Sequence, residues 1–199
     1  MLEKEIKKYQ TLNKLADTNG IIVFGGTDDK NIPICELKQA FELNSKLYNR
    51  SITNLSINTA IKVYDDCITS LKPESILLHI GAADLDFFVK DSSAFEKKYC
   101  ELIKHIKSSN AKCNIVIISL NNPDEAQNID EMNKHLKYIA QSEQCEFGDI
   151  STKRVWNPLE TKNVLSFVAS LHFCPSSRPK LPIYDLIKIL FCSTLSCAE

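Results

Sequence analysis

A three-layer α/β/α sandwich around a mainly parallel, five-stranded sheet, in one domain spanning residues 1–199, is the fold this sequence predicts. Short apolar runs rich in β-branched residues alternate with longer amphipathic stretches, at least four times. The connections between them are short. The apolar runs are continuous, as expected of parallel strands covered on both faces.

The opening stretch MLEKEIKKYQTLNKLADTNG mixes charged and apolar positions like a surface helix, and Asn19-Gly20 offers it a left-handed stop. Residues 21–24 form the first strand. Pro33 suits the first turn of the next helix, which carries Leu37, Ala40 and Phe41. A weaker strand falls at 47–50. Ser56 reads as the cap of a helix on which Ile57, Ala60, Ile61, Tyr64, Ile68 and Leu71 recur at three- and four-residue steps. Residues 75–80 are a strand. Ser92 or Ser93 caps the helix of Phe95, Tyr99, Leu102, Ile103 and Ile106. A strand at 114–120 precedes a helix starting at Asp124 and bearing Ile129, Met132, Leu136 and Ile139. A weaker strand at 145–150 follows, and the apolar run 183–195 is the terminal helix.

Composition narrows the function classes. The chain is 44% hydrophobic and 25% charged with a net charge of −1, ordinary for a soluble globular protein. No basic stripe with interleaved aromatics supports nucleic-acid binding. No run approaches the roughly 18 apolar residues of a membrane span. The N-terminus lacks the apolar core of a secretory signal, so the expected compartment is the cytoplasm. Eight cysteines form no C-x-x-C pair, which argues against a zinc ribbon or a thioredoxin-like motif; reduced interior thiols are expected. His79 reads as an interior or edge residue of a strand, and His105 and His135 as residues of polar helix faces. No two histidines have metal-ligand spacing, so neither a metal nor a cofactor is expected.

Sheets of this kind bind ligands beyond the carboxyl ends of their strands. Gly25-Gly26-Thr27 follows the first strand there, Gly81-Ala82-Ala83-Asp84 follows ILLHI, and Asn121-Asn122-Pro123 follows IVIISL. A dinucleotide site is disfavoured: G-x-G-x-x-G is absent, and the turn is acidic where a pyrophosphate would lie.

In order and spacing these segments resemble the SGNH hydrolases, also called GDSL lipases and acylhydrolases. That family's strand-Gly-Asp-Ser motif, whose serine is the nucleophile, aligns with Gly25, Gly26 and Thr27. Its Asn-Arg-Gly-Ile-Ser-Gly motif aligns with Asn49-Arg50-Ser51-Ile52-Thr53-Asn54. Its Gly-x-Asn-Asp motif aligns with Gly81, Ala82, Ala83 and Asp84, and its Asp-Gly-x-His motif with Ala169-Ser170-Leu171-His172. The resemblance covers essentially the whole chain and implies a flavodoxin-like SGNH fold with catalytic positions Thr27 and His172. It implies oxyanion-hole positions Thr27, Ser51 and Ala83, and other pocket positions Gly26, Asp28, Gly81, Asp84 and Asn121.

The departures matter as much as the matches. Of the catalytic set only His172 is unchanged; Ala169 stands where the triad acid belongs, and Ala83 where an asparagine donates to the oxyanion. Neutralising the acid of a serine-protease triad costs about 10⁴ in rate. Loss of a side-chain oxyanion donor costs about 10²–10³. The backbone N–H groups of Thr27 and Ser51 remain as expected donors, and Asp28, Asp29, Asp84, Asp86 and Asp185 are the acids that could replace the missing one. Asp84 also reads as a loop brace, Asp28 and Asp29 as caps or solvated charges, Thr27 as a cap, and His172 as a hydrogen-bonded, partly buried side chain.

Three functions stay open. One is an ester hydrolase of the lipase/acylhydrolase class with an eroded, weak or inactive site. Another is a non-catalytic module that keeps the pocket for a small ester, acyl or carbohydrate ligand. The third is a rearranged acyl- or glycan-modifying enzyme using Thr27 or a cysteine such as Cys174. Trp156 reads as a ligand platform or as core.

Overall fold

The computed structural model describes residues 2–121, 126–150 and 182–192. The chain divides into two compact units, Met1–Asn31 with Lys46–Ser151, and Ile32–Ser45 with the chain from Thr152 onward.

The first unit holds the whole sheet. Strands β1 (Ile21–Gly25), β2 (Leu47–Asn49), β3 (Ser75–His79), β4 (Asn114–Ile118) and β5 (Glu146–Gly148) lie in the order β2-β1-β3-β4-β5. All four pairings are parallel, with Ile21 opposite Leu47 and Ser75, Ser75 opposite Asn114, and Val116 opposite Glu146. The five predicted strands and their parallel sense therefore stand, β1 one residue longer than expected and the other four one to three residues shorter. For β4 the reason is local: the Asn133 side chain accepts from Leu120 N–H at 2.7 Å and donates to Leu120 C=O at 2.9 Å, capturing both ladder groups of that residue.

Helices α1 (Leu2–Asn13), α3 (Ile57–Cys67), α4 (Leu85–Lys90), α5 (Ser92–Ser109) and α6 (Ala126–Ser142) complete this unit, while α2 (Ile34–Ala40) falls in the second. One face of the sheet, with Ile22, Phe24, Ile76, Leu78, Ile115 and Ile117, forms a single core with Val63 and Tyr64 of α3, Phe95, Tyr99 and Leu102 of α5, and Met132 and Leu136 of α6. On the alternate positions Val23, Leu77, Val116 and Ile118 are fully buried as well. Burial on both faces explains the continuous apolar runs.

Helix ends depart from expectation in instructive ways. α1 stops at Asn13, not at Asn19-Gly20; past it Lys14, Leu15 and Ala16 N–H tighten to bonds with the carbonyls three residues back, and the Asn13 side chain anchors this end. Its Nδ2 donates to Cys67 C=O at 2.8 Å, and its Oδ1 accepts from Arg50 Nε at 2.9 Å. Asn19 does take the left-handed conformation, with φ 61°, in the turn entering β1. Arg50 is 4% exposed and lies over the rings of Tyr9 and Tyr48, at 5.2 and 5.5 Å. Its guanidinium also donates to Asn49 C=O at 2.8 Å, so this buried cation is held by two acceptors and two aromatic faces. Ser56 occupies the cap position of α3 without making the capping bond; Asp84 accepts from Ile57 N–H instead, at 2.9 Å. Asp91, not Ser92 or Ser93, caps α5 through Ala94 N–H. Pro33 sits at the cap of α2, one residue before the first turn. Asp124 lies outside the described residues.

In the second unit α2 packs with the π-helical turn Lys188–Cys192, which continues from the short helix Ile183–Ile187. Leu186, Ile187, Leu190 and Phe191 are buried.

Candidate functional site

Beyond the carboxyl ends of β1, β2 and β3 lies a cavity of about 190 Å³, lined by Gly26, Thr27, Asp28, Asp29, Asn54, Leu55, His79, Gly81, Ala82 and Ala83. The described residues that line it are all of the first unit. Of the sequence-predicted positions it brings together Gly26, Thr27, Asp28, Gly81 and Ala83. Ser51, Asp84 and Asn121 do not line it, and His172, Ala169, Cys174 and Trp156 lie outside the described residues.

Two glycines are required by what approaches them. A Cβ on Gly25 would sit 1.9 Å from Asp29 Oδ2, so this glycine makes room for a carboxylate folded back onto the strand end. Gly81 has φ 139°, and a Cβ there would press on Leu120 Cδ1 at 3.0 Å and Met132 Sδ at 3.2 Å. Gly26 differs: a Cβ at this position, which aligns with the family's motif aspartate, meets nothing within 4 Å.

Asp29, expected as a cap or a solvated charge, is instead 4% exposed. Its Oδ2 accepts from Gly26 N–H at 2.9 Å, and its Oδ1 lies 2.7 Å from His79 Nδ1. Burial pulls the His79 pKa down, but the adjacent Asp29 carboxylate outweighs it and the net shift is upward. The carboxylate thus biases His79 toward its protonated form in the cavity wall. Sequence reasoning had placed His79 among satisfied strand residues and missed this partner. The signal was there: His79 closes β3 directly opposite Gly25 in the register, at the ligand-binding edge.

Thr27 is exposed and its hydroxyl is fully engaged. It donates to Asn54 Oδ1 at 3.0 Å and accepts from Asn54 N–H at 3.0 Å. It caps no helix, and among the described residues no imidazole reaches it. Ser51 is fully buried: its Oγ accepts from Gly25 N–H, its C=O accepts from Tyr9 OH, and its own N–H donates to Asn49 Oδ1 at 2.9 Å. That N–H, expected to face an oxyanion, is committed inside the protein. Ala83 offers no side-chain donor. Asp84 is 3% exposed and is pushed up to about 6 by burial, against the opposing bond from Ile57 N–H. It braces the start of α3. Asp185 pairs with Lys188 at 3.4 Å, and Asp86 is exposed.

The cavity rim is tied to α1. Glu5 accepts from Thr53 N–H at 3.2 Å and from Thr53 Oγ1 at 3.0 Å, and pairs with Lys30, which also donates to Thr53 Oγ1. This holds the segment after Asp29 against the segment bearing Asn54. Among the described residues no cluster of His, Cys, Asp and Glu could hold a metal ion, and no helix is long and apolar enough to cross a membrane.

A strand order of 2-1-3-4-5 is that of flavodoxin-like sheets, and solved structures that include GDSL-like lipases and esterases share the fold. A GDSL-like lipase from Bacteroides thetaiotaomicron matches with a TM-score of 0.60 at 15% identity, over 98% of this chain and 98% of that one. A Streptococcus pneumonia protein named for platelet activating factor matches with a TM-score of 0.65 at 17% identity, over 86% of this chain and 92% of the other. An acetylxylan esterase from Geobacillus stearothermophilus matches with a TM-score of 0.54 at 15% identity, over 90% and 95%. No protein-family model matches the chain, and no curated protein matches it.

Proposed function

We propose that this chain is a protein of SGNH-hydrolase fold whose cavity binds a small ester-, acyl- or carbohydrate-bearing molecule, and whose ester-hydrolysing chemistry is eroded to a weak or absent activity. The observation that carries the proposal is the commitment of the Thr27 hydroxyl proton to Asn54 Oδ1 at 3.0 Å. A hydroxyl becomes a nucleophile when a base takes its proton, and a carboxamide oxygen is no such base. The inward-turned Ser51 N–H and the alanine at position 83 further weaken oxyanion stabilisation. Neighbours of the same fold named as a lipase and an acetylxylan esterase support an acyl-bearing ligand class.

The test is hydrolysis of p-nitrophenyl acetate by the native protein, Thr27→Ala and His172→Ala. All three are expected to give the same rate, close to the buffer blank. A native rate abolished by both substitutions, with a fluorophosphonate adduct located on Thr27 by mass spectrometry, would overturn the eroded-site proposal and restore a working hydrolase.

A further inference from the structure

Asn54 stands at the second glycine of the Asn-Arg-Gly-Ile-Ser-Gly pattern and keeps a left-handed backbone, with φ 52°. Asparagine tolerates that region better than most residues, but glycine is the default there. A carboxamide therefore occupies a place the backbone leaves open to a residue with no side chain, on the cavity wall.

The pairing with Thr27 fixes how the amide is presented. The Thr27 hydroxyl has one proton, given to Asn54 Oδ1, while its oxygen accepts from Asn54 N–H. The amide oxygen is thus occupied, and Asn54 Nδ2, with two N–H groups, donates to no acceptor among the described residues. The backbone N–H of Thr27 likewise donates to no protein acceptor among the described residues. Two donors on one short clamp thus border the cavity, where Ser51 N–H is turned inward to Asn49 Oδ1 and position 83 is an alanine. Asp28 is exposed in the same wall and would repel an anion, so the fitting acceptor is an uncharged carbonyl oxygen.

We infer that Asn54 Nδ2 and Thr27 N–H form a two-donor site for the carbonyl oxygen of a neutral acyl group, an ester or N-acyl function, with Asn54 as a ligand-binding residue. The inference rests on the reading of the cavity as an acyl-ligand site.

The experiment is a chemical-shift titration of the ¹⁵N-labelled native protein with N-acetylglucosamine, and with glucose as the control lacking an acyl group. The expected result is movement of the Thr27 amide and the Asn54 side-chain resonances with the acetylated sugar alone. Asn54→Asp keeps the acceptor for Thr27 and replaces the donor by an oxygen. Asn54→Gly removes the side chain and suits the backbone. Both are expected to bind about tenfold more weakly, with the Asn54→Gly melting temperature held or raised. Unchanged affinity in both variants, or shifts confined to Gly81–Ala83 in the native protein, would overturn the donor assignment while leaving an acyl-binding cavity standing. No shift at any cavity residue would overturn both.

Discussion

Replacing Asp84 by asparagine should stabilise the protein at neutral pH. The carboxyl is 3% exposed and titrates at about 6 in the fold, against 3.8 for the free group. A higher folded value means that the folded state holds the proton more tightly than the unfolded chain. The stability so gained is fully present below the unfolded value of 3.8 and is lost as pH rises through about 6. About 6 minus 3.8 is roughly two units, and at 1.36 kcal/mol per unit the ionised carboxylate costs about 2–3 kcal/mol at pH 7 relative to acid. Asparagine keeps an oxygen to accept from Ile57 N–H and never ionises. Thermal melts followed by circular dichroism from pH 4 to 8 should show Asp84→Asn melting roughly 5–10 °C above native at pH 7.5, the gap closing toward pH 4. A variant that melts below native at pH 7.5, or a gap that does not shrink on acidification, would refute the reasoning. The ionised carboxylate would then be a net brace of α3.

Three further outcomes follow from the cavity wall. Gly81→Ala should lose about 2 kcal/mol or more in urea unfolding, since φ 139° is hostile to a side chain and Leu120 and Met132 crowd the new methyl. Gly26→Ala, with nothing within 4 Å of the added carbon, should stay within about 0.5 kcal/mol of native. Asp29→Asn should bring the His79 pKa below its native value, read from the ring resonances in an NMR titration. Because a raised histidine value contributes stability that is full below the unfolded value of 6.5 and fades as pH rises past the folded one, this variant should be weakened most below that pH, by about 3 kcal/mol. Its deficit should narrow in alkaline buffer.

Much of the fold was legible before any coordinates. The runs IIVF, SILLH and NIVII are β-branched or leucine-rich without polar interruption, and burial on both faces is the physical reason such runs announce parallel strands. The helices of Tyr64 and Tyr99 were legible from three- and four-residue spacing, because one face of each meets the core. Helix ends were read less well. The groups that close them are remote in sequence: Arg50 draws on Asn13, and Asp84 reaches Ile57 across 27 positions. Local propensity carries no information about such partners.

The candidate site divides in the same way. Strand ends and their glycines located its edge, since the backbone conformation and close approach that demand glycine are written into the residue type. The roles of individual side chains were decided by tertiary packing alone. Asp29 closes on His79 because the parallel register sets the end of β3 beside Gly25, and no feature of a single segment encodes that neighbour. Thr27 is a nucleophile or a clamp according to which loop it faces, and it faces Asn54. The sequence by itself determined the alternation of strand and helix and the edge where chemistry belongs, through local periodicity and backbone sterics. Only the tertiary structure decided which donors and acceptors at that edge are already spent on one another, because hydrogen-bond partnership depends on distance in space rather than along the chain.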